Sequence, residues 1–181
     1  EFTAAVEHFQ KSDWITGVTL SGGEPTCNTH LPELIAWLHS RGLHIKLDTN
    51  GSNPDMLSKI LPLLDYVAMD IKCSLDNYPS FVGYPHAEKI QESVHLLLLW
   101  DRGTAEFRTT VLESYHNKKE LGDMGKLLSG ANHYTLQPFV PRENLPDPAL
   151  RTQPRTSPQF LKQAADIMKP YVKQVSIKGR M

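Results

Sequence analysis

Short apolar runs alternate with segments of helical period from one end of the chain to the other. The first segment, EFTAAVEHFQK, places Phe2, Val6 and Phe9 at helical spacing. Val18–Leu20 then reads as a buried strand that Gly22-Gly23 ends, and Glu24-Pro25 is expected to block any immediate helix. A helix is expected from about Leu31 to Arg41, with Thr29 or His30 near its cap, Pro32 in its first turn and Gly42 past its end. LHIKLDTNG predicts a strand from Leu43 to about Leu47 that runs into a polar turn, and Asn53-Pro54 caps a helix reaching about Leu64. YVAMDIK is a strand from Tyr66, followed by a loop with Pro79, Gly83 and Pro85. A long helix spans about Ala87 to Arg102 and stops at Gly103. AEFRTTVL is a strand, Lys118 to about Leu128 a helix, and HYTLQPF a strand. Pro138–Pro158 reads as a long surface loop, Gln159–Met168 as a helix and VKQVSIKG as a closing strand.

A β–α–β–α series without hairpin signals implies parallel strands joined by helical crossovers. The fold class is α/β, within a single domain over residues 1–181. Two architectures fit: an open doubly wound sheet and a partial barrel. Both bind ligands at the carboxyl ends of their strands.

Composition narrows the partners. The 181 residues carry a net charge of −1, which gives no reason to expect nucleic acid or an anionic membrane as a partner. No apolar run is long enough to span a bilayer; the longest, HLLLLW, reads as a buried helix segment. Two cysteines, Cys27 and Cys73, make no disulfide framework, and a reducing cytoplasm is the expected location.

Polar residues gather at the predicted strand ends: Ser21-Gly22-Gly23-Glu24, Asp48-Thr49-Asn50-Gly51, Asp70 and Lys72, Arg108-Thr109-Thr110, and Gln137. Parallel strands would bring them to one rim. Glycines let a ligand approach the backbone closely. Glu24 is a charge-assisted acceptor suited to an ammonium group. Asp48, Thr49 and Asp70 offer hard oxygens for a cation or ribose hydroxyls. Lys72 and Arg108 would meet a carboxylate or phosphate. A ligand with both an amine and a carboxylate satisfies this set.

Each feature also has a plainer reading. Gly22-Gly23 can be a tight turn, Glu24 a solvated loop charge, and Asn50-Gly51 an ordinary turn pair. Asp70 and Lys72 share a strand face by their period-two spacing and can pair with neighbours. Cys27 and Cys73 read as small apolar residues, His8, His30 and His39 as surface, and Leu96, Leu97 and Trp100 as core. Placement on successive strand ends favours the binding reading, and a buried arginine at position 108 needs a partner in any case.

Two resemblances bear on the chemistry. LSGGE resembles the signature loop of ABC-type ATPases, but the phosphate-cradling G-x-x-x-x-G-K-[ST] loop is absent, and Pro25 breaks the helix that should follow. SGGEPT, LDTNGSNP, DYVAMDIK, FRTTV and YTLQPF, in this order and spacing, resemble the radical S-adenosylmethionine superfamily. Within it they are similar to the activating proteins of anaerobic ribonucleoside-triphosphate reductase, and MKPYVKQVSIKG fits the same pattern. The resemblance implies a partial (β/α) barrel and an oxidoreductase whose cofactors are S-adenosylmethionine and a [4Fe–4S] cluster held by three cysteines. Reductive cleavage of S-adenosylmethionine there yields a radical that takes hydrogen from a glycine of the partner. The implied partners are a glycyl-radical enzyme, anaerobic ribonucleotide reductase first, and an electron donor such as flavodoxin or ferredoxin.

By position, the resemblance assigns Gly22, Gly23 and Glu24 to the methionyl ammonium, and Asp48 and Lys72 to strand-end positions facing the cofactor. Arg108 and Gln137 become lining residues. Asp48, Thr49 and Asp70, with a carbonyl near Ala68, correspond to a monovalent-cation site. It assigns no catalytic residue.

The chain departs from this family in one respect. The C-x3-C-x2-C motif that binds the cluster is absent. With a first residue of Glu1, the chain is expected to be an N-terminally truncated activase lacking the first strand and the cluster loop, and inactive alone. Two alternatives remain open: an enzyme of the same chemistry acting on another glycyl-radical enzyme or a small molecule, and a non-catalytic barrel that binds S-adenosylmethionine or a partner.

Overall fold

Caps and prolines start the helices where the sequence pattern places them. In a computed structural model describing residues 2–179, Asn53 accepts from the Met56 amide, Asn117 from the Lys119 and Glu120 amides, and Ser157 from the Phe160 amide. Pro54 and Pro158 follow their caps directly, where a missing N–H costs nothing. The helices are α1 (Phe2–Lys11), α2 (Leu31–His39), α3 (Pro54–Ile60), α4 (Ala87–Leu99), α5 (Lys118–Leu127), α6 (Pro148–Arg151) and α7 (Pro158–Met168). The strands are β1 (Gly17–Leu20), β2 (His44–Thr49), β3 (Tyr66–Asp70), β4 (Thr104–Val111), β5 (His133–Pro138) and β6 (Gln174–Ile177). Glu1, on which the expectation of a missing upstream strand rested, lies outside the described residues, as do Arg180 and Met181.

Several boundaries differ from expectation for local reasons. Pro25 opens a 3₁₀ turn, Pro25–Cys27, instead of blocking one, because proline suits the first position of a turn. Helix α3 stops at Ile60 and tightens into a 3₁₀ turn over Leu61–Leu63, since Pro62 has no N–H to continue it. Helix α4 ends at Leu99, because Trp100 turns extended and lays its ring against Gly103. The HLLLLW segment is therefore only partly buried: Leu97 is core, and Leu99 is 69% exposed. The loop after β5 carries the short helix α6, and its flanks Phe139 and Thr156 are buried.

All neighbouring strands are parallel and run in the order β1-β2-β3-β4-β5-β6. A doubly wound sheet needs a point where the order reverses, and this sheet has none, so the partial-barrel architecture holds. Crossovers that all turn the same way collect the helices on one face. The strand residues facing them are Ile45, Leu47, Val67, Met69, Phe107, Val111, Tyr134 and Leu136, all buried and nearly all aliphatic or aromatic. The alternate positions, Lys46, Asp48, Tyr66, Asp70, Glu106, Arg108 and Thr135, form a polar face on the other side.

Glu106 gathers that face together. It accepts from Tyr66 Oη on β3 at 2.7 Å, Thr135 Oγ1 on β5 at 2.5 Å and Lys178 Nζ just past β6 at 2.8 Å. Burial alone would raise the Glu106 carboxyl, but the bonds from Lys178, Thr135 and Tyr66 outweigh it and bring it down to about 2. Because the folded value lies below the usual 4.5, the stabilisation is full above that value and is lost as pH falls toward 2. Urea unfolding from pH 7 to pH 3 is expected to show Glu106→Gln less stable than wild type at pH 7, with the gap narrowing below pH 4.5. A gap that stays constant across that window would contradict the clamp.

Candidate functional site

The carboxyl ends of β1 to β4 bring most of the predicted residues to one place. Asp48 lies at the end of β2, Asp70 ends β3, and Arg108 on β4 stands in register with Asp70. Arg108 Nε donates to Asp70 Oδ1 at 3.0 Å, and Nη1 donates to Asp48 Oδ2 at 3.3 Å. One guanidinium thus links three strands through their side chains, while its own side chain is 16% exposed. Burial works against the Arg108 charge, and Asp70 and Asp48 outweigh it. Lys72 Nζ donates to Asp70 Oδ2 at 2.8 Å, and Lys46 Nζ lies 2.9 Å from Asp48 Oδ1. That Asp48 oxygen is buried and lacks an aligned hydrogen-bond donor.

The glycine loop after β1 is held against this cluster by Glu24. Its Oε1 accepts from the Thr26 amide at 3.1 Å, Thr26 Oγ1 at 2.6 Å and Thr49 Oγ1 at 2.7 Å. Its Oε2 accepts from the Asn50 amide at 2.6 Å. Glu24 is therefore neither a solvated charge nor an open ammonium acceptor; it ties the loop to the end of β2. Gly51 completes that turn with φ +76°, and a β-carbon there would meet Met69 Cε at 2.0 Å, so only glycine fits. No atom lies within 4 Å of where side chains on Gly22 and Gly23 would stand, so the backbone beside Asp48 is open to a ligand.

Two predicted groupings change. Thr49 points to the opposite strand face from Asp48, is buried, and spends its hydroxyl on Glu24 and the Gly51 amide. Asp48, Thr49 and Asp70 thus do not present three side-chain oxygens to one cation, and the two aspartates face Arg108 instead. Gln137 lies on the polar face at the β5 rim, paired in register with Thr110, and makes none of the cluster's bonds. It borders a groove shared with Val140, Arg155 and Lys178. Beside that groove, beyond β5 and β6, Pro138, Thr156, Leu161 and Ile177 line an apolar cavity of about 200 Å³.

The cysteines do not supply a metal site. Cys73 is fully buried, and burial and the Glu120 charge raise its thiol to about 12. Cys27 is exposed in the turn after Glu24, contrary to its reading as an apolar residue. Among the described residues no group of three His, Cys, Asp or Glu could hold a metal ion. These residues therefore do not fit a [4Fe–4S] cluster.

Sequence reading missed Lys46, Glu106 and Lys178. The first two carried a signal: each stands two residues before a predicted site residue, Asp48 or Arg108, and so on the same strand face. Lys178 had none, because its contact with Glu106 spans 72 positions and crosses β5.

No family model matches the chain. It is 28% identical over 169 residues to a Methanocaldococcus jannaschii protein provisionally described as a glycyl-radical enzyme activating enzyme, covering 89% of this chain and 70% of that one. It is 26% identical over 144 residues to a 7-carboxy-7-deazaguanine synthase of Thermococcus kodakarensis, spanning 79% of this chain and 55% of the relative. Among solved structures, a domain of the pyruvate-formate lyase-activating enzyme of Bacteroides vulgatus superposes with a TM-score of 0.71 at 18% identity, covering 90% of this chain and 99% of that domain. Streptococcus suis SuiB bound to S-adenosylmethionine superposes at 0.63 with 11% identity, covering 90% of this chain and 39% of SuiB. The chain therefore has the fold of an activating-enzyme domain and a homologue described as an activating enzyme.

Removing Arg108 leaves two neighbouring aspartates without their shared cation. Arg108→Met is expected to cost about 2 kcal/mol of unfolding free energy, and adding Asp48→Asn to return part of it. Strictly additive losses in a urea double-mutant cycle would contradict the coupling.

Proposed function

We propose that this chain forms the S-adenosylmethionine-binding wall of a radical enzyme that activates a glycyl-radical enzyme. The observation that carries this reading is the Asp48–Arg108–Asp70–Lys72 cluster, set beside the open Gly22-Gly23 backbone at the carboxyl rim of a parallel sheet. Similarity to a described activating enzyme over most of both chains supports the same class.

The residues fit the amino-acid end of S-adenosylmethionine. The carbonyls of the Gly22-Gly23 loop accept from an ammonium, beside Asp48, whose Oδ1 is buried against Lys46. Lys72, held at the rim by Asp70, turns to a carboxylate. Arg108 holds both aspartates in place on the face by donating to each. Glu24 fixes the glycine loop without touching the ligand. S-adenosylmethionine supplies a carbon–sulfur bond whose one-electron reductive cleavage yields a hydrogen-abstracting fragment. The one electron that cleavage consumes would come from a flavodoxin- or ferredoxin-type donor in a reducing cytoplasm by way of a [4Fe–4S] cluster, whose cysteine ligands the described residues do not contain. Anaerobic ribonucleoside-triphosphate reductase is the first candidate partner, on the motif resemblance.

A second reading, a small-molecule radical enzyme, is favoured by the similarity to 7-carboxy-7-deazaguanine synthases. The two are separated by one experiment on the full-length protein, prepared without oxygen, reduced with dithionite and mixed with S-adenosylmethionine and the reductase. We expect 5′-deoxyadenosine and a glycyl-radical signal in electron paramagnetic resonance. Deoxyadenosine without that signal would favour the second reading, and failure of the protein to bind S-adenosylmethionine would overturn both.

A further inference from the structure

We infer that His116 is a positioning residue that holds Lys72 at the ligand rim. It does so through a hydrogen bond from its imidazole Nε2–H to the Lys72 carbonyl. This inference rests on the reading of the rim as a ligand wall.

Strand β3 ends at Asp70, yet the chain stays pinned for two further residues. The Ile71 amide donates to the Arg108 carbonyl at 2.8 Å, and Thr109 Oγ1 donates to the Ile71 carbonyl at 2.8 Å. At Lys72 the sheet ladder is gone and side chains replace it. The Lys72 amide donates to Tyr78 Oη at 3.2 Å, and its carbonyl lies 3.0 Å from His116 Nε2. His116 is fully buried, on the turn between β4 and α5. Its Nδ1 lies 2.9 Å from the Leu112 amide and 3.2 Å from the Leu112 carbonyl; the shorter contact, with the Lys72 carbonyl facing Nε2, assigns the proton to Nε2. Burial pulls the imidazole below its ordinary range, against the Lys72 and Leu112 backbone bonds and the Glu120 charge, and so favours the neutral ring.

The neighbouring turn reinforces the tie. Glu120, also buried, accepts from the Ser74 amide at 2.5 Å, Ser74 Oγ at 2.9 Å and Asn77 Nδ2 at 2.5 Å. His116 and Glu120 thus clamp the segment after β3 from the start of α5. Only His116 reaches Lys72 itself. With both backbone groups of Lys72 held, its ammonium is confined beside Asp70.

The geometry separates two substitutions. In His116→Gln, the amide nitrogen reaches about where Nε2 stands and can donate to the Lys72 carbonyl. In His116→Asn, the shorter chain serves only the Leu112 amide. Brief acetylation of the unliganded protein, read by mass spectrometry, reports the freedom of Lys72 against Lys119 and Lys126 on α5. We expect the Lys72 rate relative to those lysines to rise about threefold or more in His116→Asn and to stay near wild type in His116→Gln. Equal relative rates in all three proteins would overturn the inference. So would nitrogen NMR of wild type showing the His116 proton on Nδ1, a measurement that needs no variant. Neither readout uses ligand, so failure of wild type to bind S-adenosylmethionine would count against the functional reading alone.

Discussion

A single arginine on β4 sets the terms for the site. Arg108 stands on a strand face that its neighbours have filled with carboxylates, and it bridges Asp48 and Asp70 across β2, β3 and β4. The bridge exists because the three strands are adjacent and their register brings Asp48, Asp70 and Arg108 to the same face. A register slip of one residue would turn one partner into the helix layer. The arrangement of charge and the topology of the sheet are therefore one constraint. The opposite face, made of residues such as Ile45, Val67, Phe107 and Tyr134, supplies the burial that keeps the strands in place.

Around this bridge the polar residues divide by role. Glu106, Tyr66, Thr135 and Lys178 bond to one another and tie β3, β4 and β5 to the residue just past β6. Glu24, Thr26, Thr49 and Asn50 saturate one another and hold the glycine loop. Bonding capacity remains open at the Lys72 ammonium and along the Gly22-Gly23 backbone. An ammonium and backbone carbonyls are the two kinds of group that a zwitterionic ligand requires. Saturated clusters behind an open one are what a preorganised site needs, because the supporting groups have nothing to gain by moving.

Much of this was legible in the sequence. Strand positions followed from apolar runs, helix starts from Pro32 and Asn53-Pro54, and the common rim from the β–α alternation. The sequence left two architectures open, and strand order decided between them, because order is set by long-range pairing that period and propensity do not encode. Glu24 stands where the sequence places it but plays a different part, because its four donors include Thr49 and Asn50, which lie a full βα unit downstream. Thr49 misled for a simpler reason. It adjoins Asp48 in sequence, and adjacency along a strand means opposite faces. His116 gave no sign, since a lone histidine in a turn looks the same whether it meets water or a carbonyl 44 residues away.

The central claim is that the rim recognises both charges of an amino-acid moiety. Equilibrium binding of S-adenosylmethionine and of its decarboxylated analogue to the same protein tests it most directly. Losing the carboxylate that meets Lys72 should weaken binding about tenfold or more. Equal affinity for the two ligands would contradict the account.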